Sequence, residues 1–143
     1  MYKVFFRMLV GTQLAADELR DQGRDDSALR NYFQRALRLN DFERLALVSA
    51  ARDCVAELDQ QGRVIQELAR ELKSRPDNAE ARAKLAGLQG KGEAAVTGAV
   101  EQLRQSLGPE RFAQVDMLIR LRVRQNLRLA PGRSGQPARR GGN

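Results

Sequence analysis

The sequence predicts an all-α protein: an antiparallel helical bundle or hairpin of about five helices, with two long central helices and a disordered basic C-terminal tail. Three observations carry this prediction. Ala, Leu, Arg, Gln and Glu dominate the composition, and these are good helix formers. Prolines stand only at 76, 109, 131 and 137, so long stretches are free to be continuous helix. Apolar residues recur at steps of three and four through most of the chain, the period of a helix with one buried face. Residues 1–129 read as one helical domain and residues 130–143 as a tail.

The first helix is expected over Tyr2–Gln22, with Phe5, Met8, Thr12, Ala15 and Leu19 on its apolar stripe and Gly23 as its stop. Asp25, Asp26 or Ser27 can cap a second helix, Ser27–Leu39, with Leu29, Tyr32, Phe33, Ala36 and Leu37 on one face. "LRLND" then makes a corner. Asn40 and Glu43 stand in the spacing of a capping box, so a third helix starts at Asn40 or Asp41. Leu45, Val48, Val55, Leu58, Ile65, Ala69 and Leu72 form its seam, interrupted by Arg52 and Gly62, and it reaches Lys73, where "SRPDN" ends it.

A fourth helix is expected from about Asn78 to Leu107, striped by Leu85, Leu88, Gly92, Val96, Ala99, Leu103 and Leu107. Glycines at 87, 90, 92 and 98 each disfavour an interior helical position by about 1 kcal/mol relative to Ala, which predicts a fray or bend near "GLQGKG". Pro109 suits the first position of a fifth helix, with Phe112, Val115, Leu118, Ile119 and Val123 on its buried face. Apolar residues and arginine alternate through Ile119–Arg124, which taken alone suggests an edge strand. No second strand candidate exists to pair with it, and the upstream phase is helical. The segment Ile119–Asn126 is therefore read as the end of the fifth helix.

The chain has 143 residues and a net charge of +7 at pH 7. The charge is uneven: Arg111, Arg120, Arg122, Arg124, Arg128, Arg133, Arg139 and Arg140 face only Glu110 and Asp116 after residue 108, while the preceding residues are close to neutral. Arg120, Arg122, Arg124, Arg128, Arg133, Arg139 and Arg140 are thus candidates for binding anions, including nucleic acid without sequence preference. Aromatic residues for stacking on bases are missing from this segment, apart from Phe112 on the apolar stripe. The other reading of the segment is a solvated helix end followed by a tail.

There is no histidine and one cysteine, Cys54, so neither His-based catalysis nor a cysteine zinc site can be built. Cys54 sits among Ala51, Val55 and Leu58 and reads as a small buried hydrophobe. "GLQGKGE" lacks the hydroxyl after lysine and the preceding strand of a phosphate loop. "DQGRDDS" lacks the ligand rhythm of a calcium loop and reads as a capping turn. Carboxylates at 53 and 57, and at 67 and 71, stand one helical turn apart with Arg52, Arg63 and Arg70 as nearby counter-charges, and read as surface charge. The expectation is a protein that is not an enzyme and uses no cofactor. No stretch approaches the ~20 apolar residues of a membrane span. Helix one, with Phe5, Phe6, Met8 and Leu9, reads as core rather than as a membrane-surface helix.

Two segments look alike: "LNDFERLALV" at Leu39–Val48 and "LGPERFAQVD" at Leu107–Asp116. Both resemble the L-T-x-x-Q signature of the Spy/CpxP-like periplasmic helical proteins, which carry it twice. Leu39 and Leu107 match the leucine, Asn40 and Gly108 stand in place of the threonine, and Glu43 and Arg111 in place of the glutamine. The resemblance implies that these corners hold helices in a bent hairpin, and that the protein acts as a stress adaptor or as a chaperone for unfolded clients. A longer stretch, from about residue 4 to 125 and including "DDSALRNYFQRALRLNDFE" and "LRQSLGPERF", is similar to an uncharacterised all-helical bacterial family with no established activity. Members of that family often follow a signal peptide. The present sequence shows no such signal, so it reads as cytoplasmic as written, or as periplasmic or secreted if the true start lies upstream. The expected function is a non-enzymatic helical interaction module with a protein partner or a second copy of itself. The alternative is non-specific nucleic-acid or anion binding through the basic segment.

Overall fold

The computed structural model describes residues 1–129, with side chains through Asn126, so the predicted tail lies outside the described residues. Six helices occur among them and no strand: α1 Tyr2–Asp21, α2 Ser27–Arg30, α3 Tyr32–Ala36, α4 Asp41–Ser74, α5 Ala79–Leu107 and α6 Pro109–Leu129. The two long central helices are α4, of 34 residues, and α5, of 29 residues. At about 1.5 Å per residue they are about 50 Å and 44 Å long.

The α4–α5 hairpin organises the protein. Arg75 ends α4 because Pro76 follows, and Asn78 caps α5 by accepting from the Ala81 N–H at 3.1 Å. Asn78 also donates to Glu71 Oε2 at 2.7 Å, which ties the start of α5 back to the end of α4. The two helices run antiparallel and closely. A Cβ on Gly92 would stand 3.4 Å from Gln61 Oε1 and 3.5 Å from Leu58 Cδ2. No fray occurs at "GLQGKG": α5 is continuous from Ala79 to Leu107, because packing along α4 outweighs the weak helix preference of its glycines.

α1 packs mainly on α4, and α6 packs on α5 and α1. The core between them is aliphatic and aromatic, with Phe5, Phe6, Leu9, Leu37, Leu47, Leu103, Val115 and Ile119 fully buried. Phe5 meets Phe33 edge to face at 5.4 Å between ring centroids. The face of α1 therefore differs from the one expected: Tyr2, Phe5, Phe6, Leu9, Gln13 and Ala16 are buried, whereas Ala15 is exposed. The aromatic pair Phe5–Phe6 decides the rotation, because both rings have more apolar surface to hide than Met8 or Thr12. The face of α4 is also rotated. Leu47, Ala50, Ala51, Cys54, Val55 and Leu58 are buried, and Leu45 is 57% exposed. The expected stripes of α5 and α6 are both at least partly buried throughout.

The expected second helix is broken in two. Gln13 Nε2 donates to the Arg30 carbonyl oxygen at 3.2 Å, the oxygen that a continuous helix would offer to the Gln34 N–H. Arg38 then takes φ +56°, a left-handed conformation that turns the chain toward α4. This break is why six helices replace the five expected.

Candidate functional site

The sequence singles out two corners, and the fold brings them together. At the first, Asn40 Oδ1 accepts from the Glu43 N–H at 2.8 Å, and Glu43 Oε1 accepts from the Asn40 N–H at 3.0 Å. This is the capping box that the spacing predicts. Leu39 beside it is buried. At the second corner, Gly108 ends α5 with φ +86°, which a residue bearing a Cβ adopts only with strain, and Leu107 packs against the core. Pro109 then starts α6.

Arg111 joins the corners. Its Nε donates to Glu43 Oε2 at 2.8 Å, and one of its terminal nitrogens donates to Glu43 Oε1 at 3.0 Å. The same nitrogen donates to the Arg38 carbonyl, and the other reaches Gln114 Oε1 at 3.1 Å. The two positions that stand in for the glutamines of the repeated signature thus bind one another. The Arg111 guanidinium holds the Glu43 carboxyl below the usual glutamate range, opposed by burial and assisted by the Asn40 N–H. Because Glu43 is buried and Arg111 is mostly covered, this pair ties the first turn of α6 to the first turn of α4.

The basic segment is partly engaged within the fold. Arg120 pairs with Asp116 at 2.8 Å, and Asp116 Oδ1 accepts from the Tyr2 hydroxyl at 2.6 Å. Burial, then that bond to a carboxylate, pushes the Tyr2 phenol far above its usual range. Arg122 donates to the Tyr32 hydroxyl at 3.2 Å and lies 5.7 Å from the centre of its ring. Arg124 is exposed. Arg128 lies near the end of α6, and Arg133, Arg139 and Arg140 lie outside the described residues. Ile119–Arg124 is helix rather than strand, so its arginines point around α6 instead of forming one basic edge.

A surface that the sequence does not single out lies on the α4–α5 hairpin. One face carries a groove of about 670 Å³ floored by small residues, Ala50, Cys54, Ala95 and Ala99 among them. It continues past Glu57 and Lys91 into a second hollow of about 490 Å³, lined by Val64 and Leu88. Asp53 and Glu57 stand on the α4 rim and Lys91 on the α5 rim. None of the three makes an ion pair within 4 Å among the described residues, and Arg52, Arg63 and Arg70 do not supply the counter-charges expected. Cys54 is buried as predicted, with burial pushing its thiol above the usual range. The signal for this face is the run of alanine and glycine at 94, 95, 98 and 99. Small side chains alone do not distinguish a tightly packed face from an open one.

Among the described residues no group of three or more Cys, Asp and Glu side chains is placed to hold a metal ion. None of the described helices is long and apolar enough to cross a membrane. These features define a class: an all-α protein built on a long helical hairpin with one open face. Beyond that class, no protein-family model, curated protein or solved structure matches the chain.

Proposed function

We propose that this protein is a non-enzymatic helical interaction module that binds apolar segments of other polypeptides, in the manner of a chaperone, through its α4–α5 hairpin. One observation carries the reading. Between residues 62 and 91 only Ala81 is buried, while Ile65, Leu68, Leu72, Leu85 and Leu88 are half-buried and Val64 is 40% exposed. Two helices alone cover their apolar stripes only in part, and the partly covered strip, with Val64 exposed, offers a contact surface. The likeness of both corners to the L-T-x-x-Q signature supports the same reading. Binding to nucleic acid is less well supported, because Arg120 and Arg122 already have partners within the fold.

The test is aggregation of a reduced, unfolding client followed by light scattering. A molar excess of the protein slows aggregation, and the effect persists from low to high salt, since apolar contacts are not screened. Replacing Val64 and Leu88 with Ser abolishes it. No slowing at any ratio, together with duplex-DNA binding that collapses as salt rises, would favour the basic segment instead.

A further inference from the structure

The open face of the hairpin has a charge pattern that selects its occupant. Asp53 and Glu57 form an acidic rim on α4, and Lys91 is the basic group on the opposite rim. Glu57 and Lys91 line both hollows, so they lie within about one helical turn of each other along the hairpin, a distance that two long side chains can span. The floor between them is Ala50, Cys54, Ala95 and Ala99, which allows another helix to approach closely.

Two symmetric ways of laying this face on itself can be compared. With the two-fold axis parallel to the helices, α4 of each copy lies over α5 of the other. Glu57 of one copy then faces Lys91 of the second copy, twice. With the axis across the helices, α4 lies over α4, and Asp53 and Glu57 oppose the same two acids. Only the first arrangement is complementary. It also continues onto the half-covered strip at Val64 and Leu88, where two more helices complete a four-helix core.

We propose that this face seats a second copy of the chain, α4 over α5 in both directions, with crossed Glu57–Lys91 pairs. The inference rests on the reading of the hairpin as the contact surface and names its partner. From Ala50 to Val64 the face is about 21 Å long at about 1.5 Å per residue, and two adjacent helices are about 20 Å across. That flat projection of about 420 Å² is smaller than the ~800 Å² per partner of a standard stable interface, so the dimer is a concentration-dependent equilibrium.

Sedimentation of the full chain over a wide concentration range tests it. The wild-type protein sediments as a monomer–dimer equilibrium. Glu57→Lys and Lys91→Glu each weaken dimerisation at least about ten-fold, because each turns two attractive pairs into two repulsive ones. The chain carrying both changes recovers the wild-type equilibrium. A mixture of the two single variants also dimerises, since a chain that is basic at both positions then meets a chain that is acidic at both. Both positions lie on the rim of the groove, so circular dichroism of every variant remains that of the wild type. A wild-type chain that stays monomeric at every concentration overturns the proposal, as does a double variant that fails to recover dimerisation. A monomer that still slows client aggregation sinks the dimer and spares the proposed function. A dimer with no effect on aggregation does the reverse.

Discussion

Leu58 and Leu72 lie on the same helix and follow the same apolar period, yet Leu58 is buried and Leu72 is only half-covered. The difference is the number of neighbouring helices. At the level of Leu58, α4 and α5 are backed by α1 and α6, whose Phe5, Phe6, Leu9, Val115 and Ile119 complete a core. Beyond Gln61 and Gly92 the hairpin continues as two helices only. A helical stripe is a demand for burial, and the number of packed layers decides whether it is met. The lower half is therefore a folded body, and the upper half an arm whose large apolar residues are covered only in part, Val64 alone among them being exposed.

This contrast is tested most severely in the core. Phe6→Ala should destabilise the protein by about 3–5 kcal/mol in urea denaturation, whereas Leu85→Ala in the arm should cost less, about 1.5 kcal/mol, because a partly covered site leaves a smaller cavity. Equal losses at both sites would mean that the arm is as tightly packed as the body. Native-state hydrogen exchange should show the same division, with amides around Ile65 and Leu85 opening well before those around Leu47 and Leu103.

Next in size is the joint between the corners. Arg111→Met should cost about 2–3 kcal/mol near neutral pH, because it leaves the Glu43 carboxylate buried without its partner. The effect is pH-dependent in a defined direction. The folded Glu43 pKa lies below its unfolded value, so its contribution is fully present above the ordinary glutamate pKa of about 4.3 and is lost as pH falls through the lower folded value. Stability of the wild type relative to Glu43→Gln should therefore be constant at neutral pH and shrink in acid. A difference that stays constant into acid would show that Glu43 acts through packing rather than charge.

Capping sharpens the comparison further. Asn40 and Asn78 both cap a helix through their side-chain oxygen. Asn40→Ala, at the body, should cost about 1 kcal/mol of global stability, and Glu43→Ala should cost more and add to it in part, because it also takes the partner from Arg111. Asn78→Ala removes the same kind of bond but should mainly raise local exchange at the hairpin tip, with a smaller change in global unfolding. At the small end, Arg120→Gln breaks an exposed one-turn pair and should leave the melting temperature unchanged within error.

Much of this architecture is legible in the sequence because it depends on local chemistry. Pro76, Gly108 and Pro109 set boundaries through backbone geometry, and Asn40 and Glu43 announce their own box. The stripe of α6 is legible because Phe112, Val115, Ile119 and Val123 keep one period for three turns, longer than the rival pair Met117 and Leu121, which is exposed. The buried faces of α1 and α4 are not, because each helix has apolar residues on more than one side. Leu45 and Leu47 are equally good candidates by period, as are Met8 and Leu9. The break in the second helix is illegible, since it depends on Gln13 reaching across to the Arg30 carbonyl.

Residue order was enough to make residues 1–129 all-α, to set where the long helices start and stop, and to place Cys54 inside. Caps, breakers and the period of apolar residues act within a few positions of one another, so a single helix carries its own instructions. Which face of α1 and α4 turns inward was settled in three dimensions. So were the meeting of Glu43 with Arg111 across 68 positions and the rise of the hairpin beyond its supporting helices. Those outcomes depend on which elements become neighbours in space. Burial is a property of the whole packed arrangement, whereas a helical period is a property of one segment.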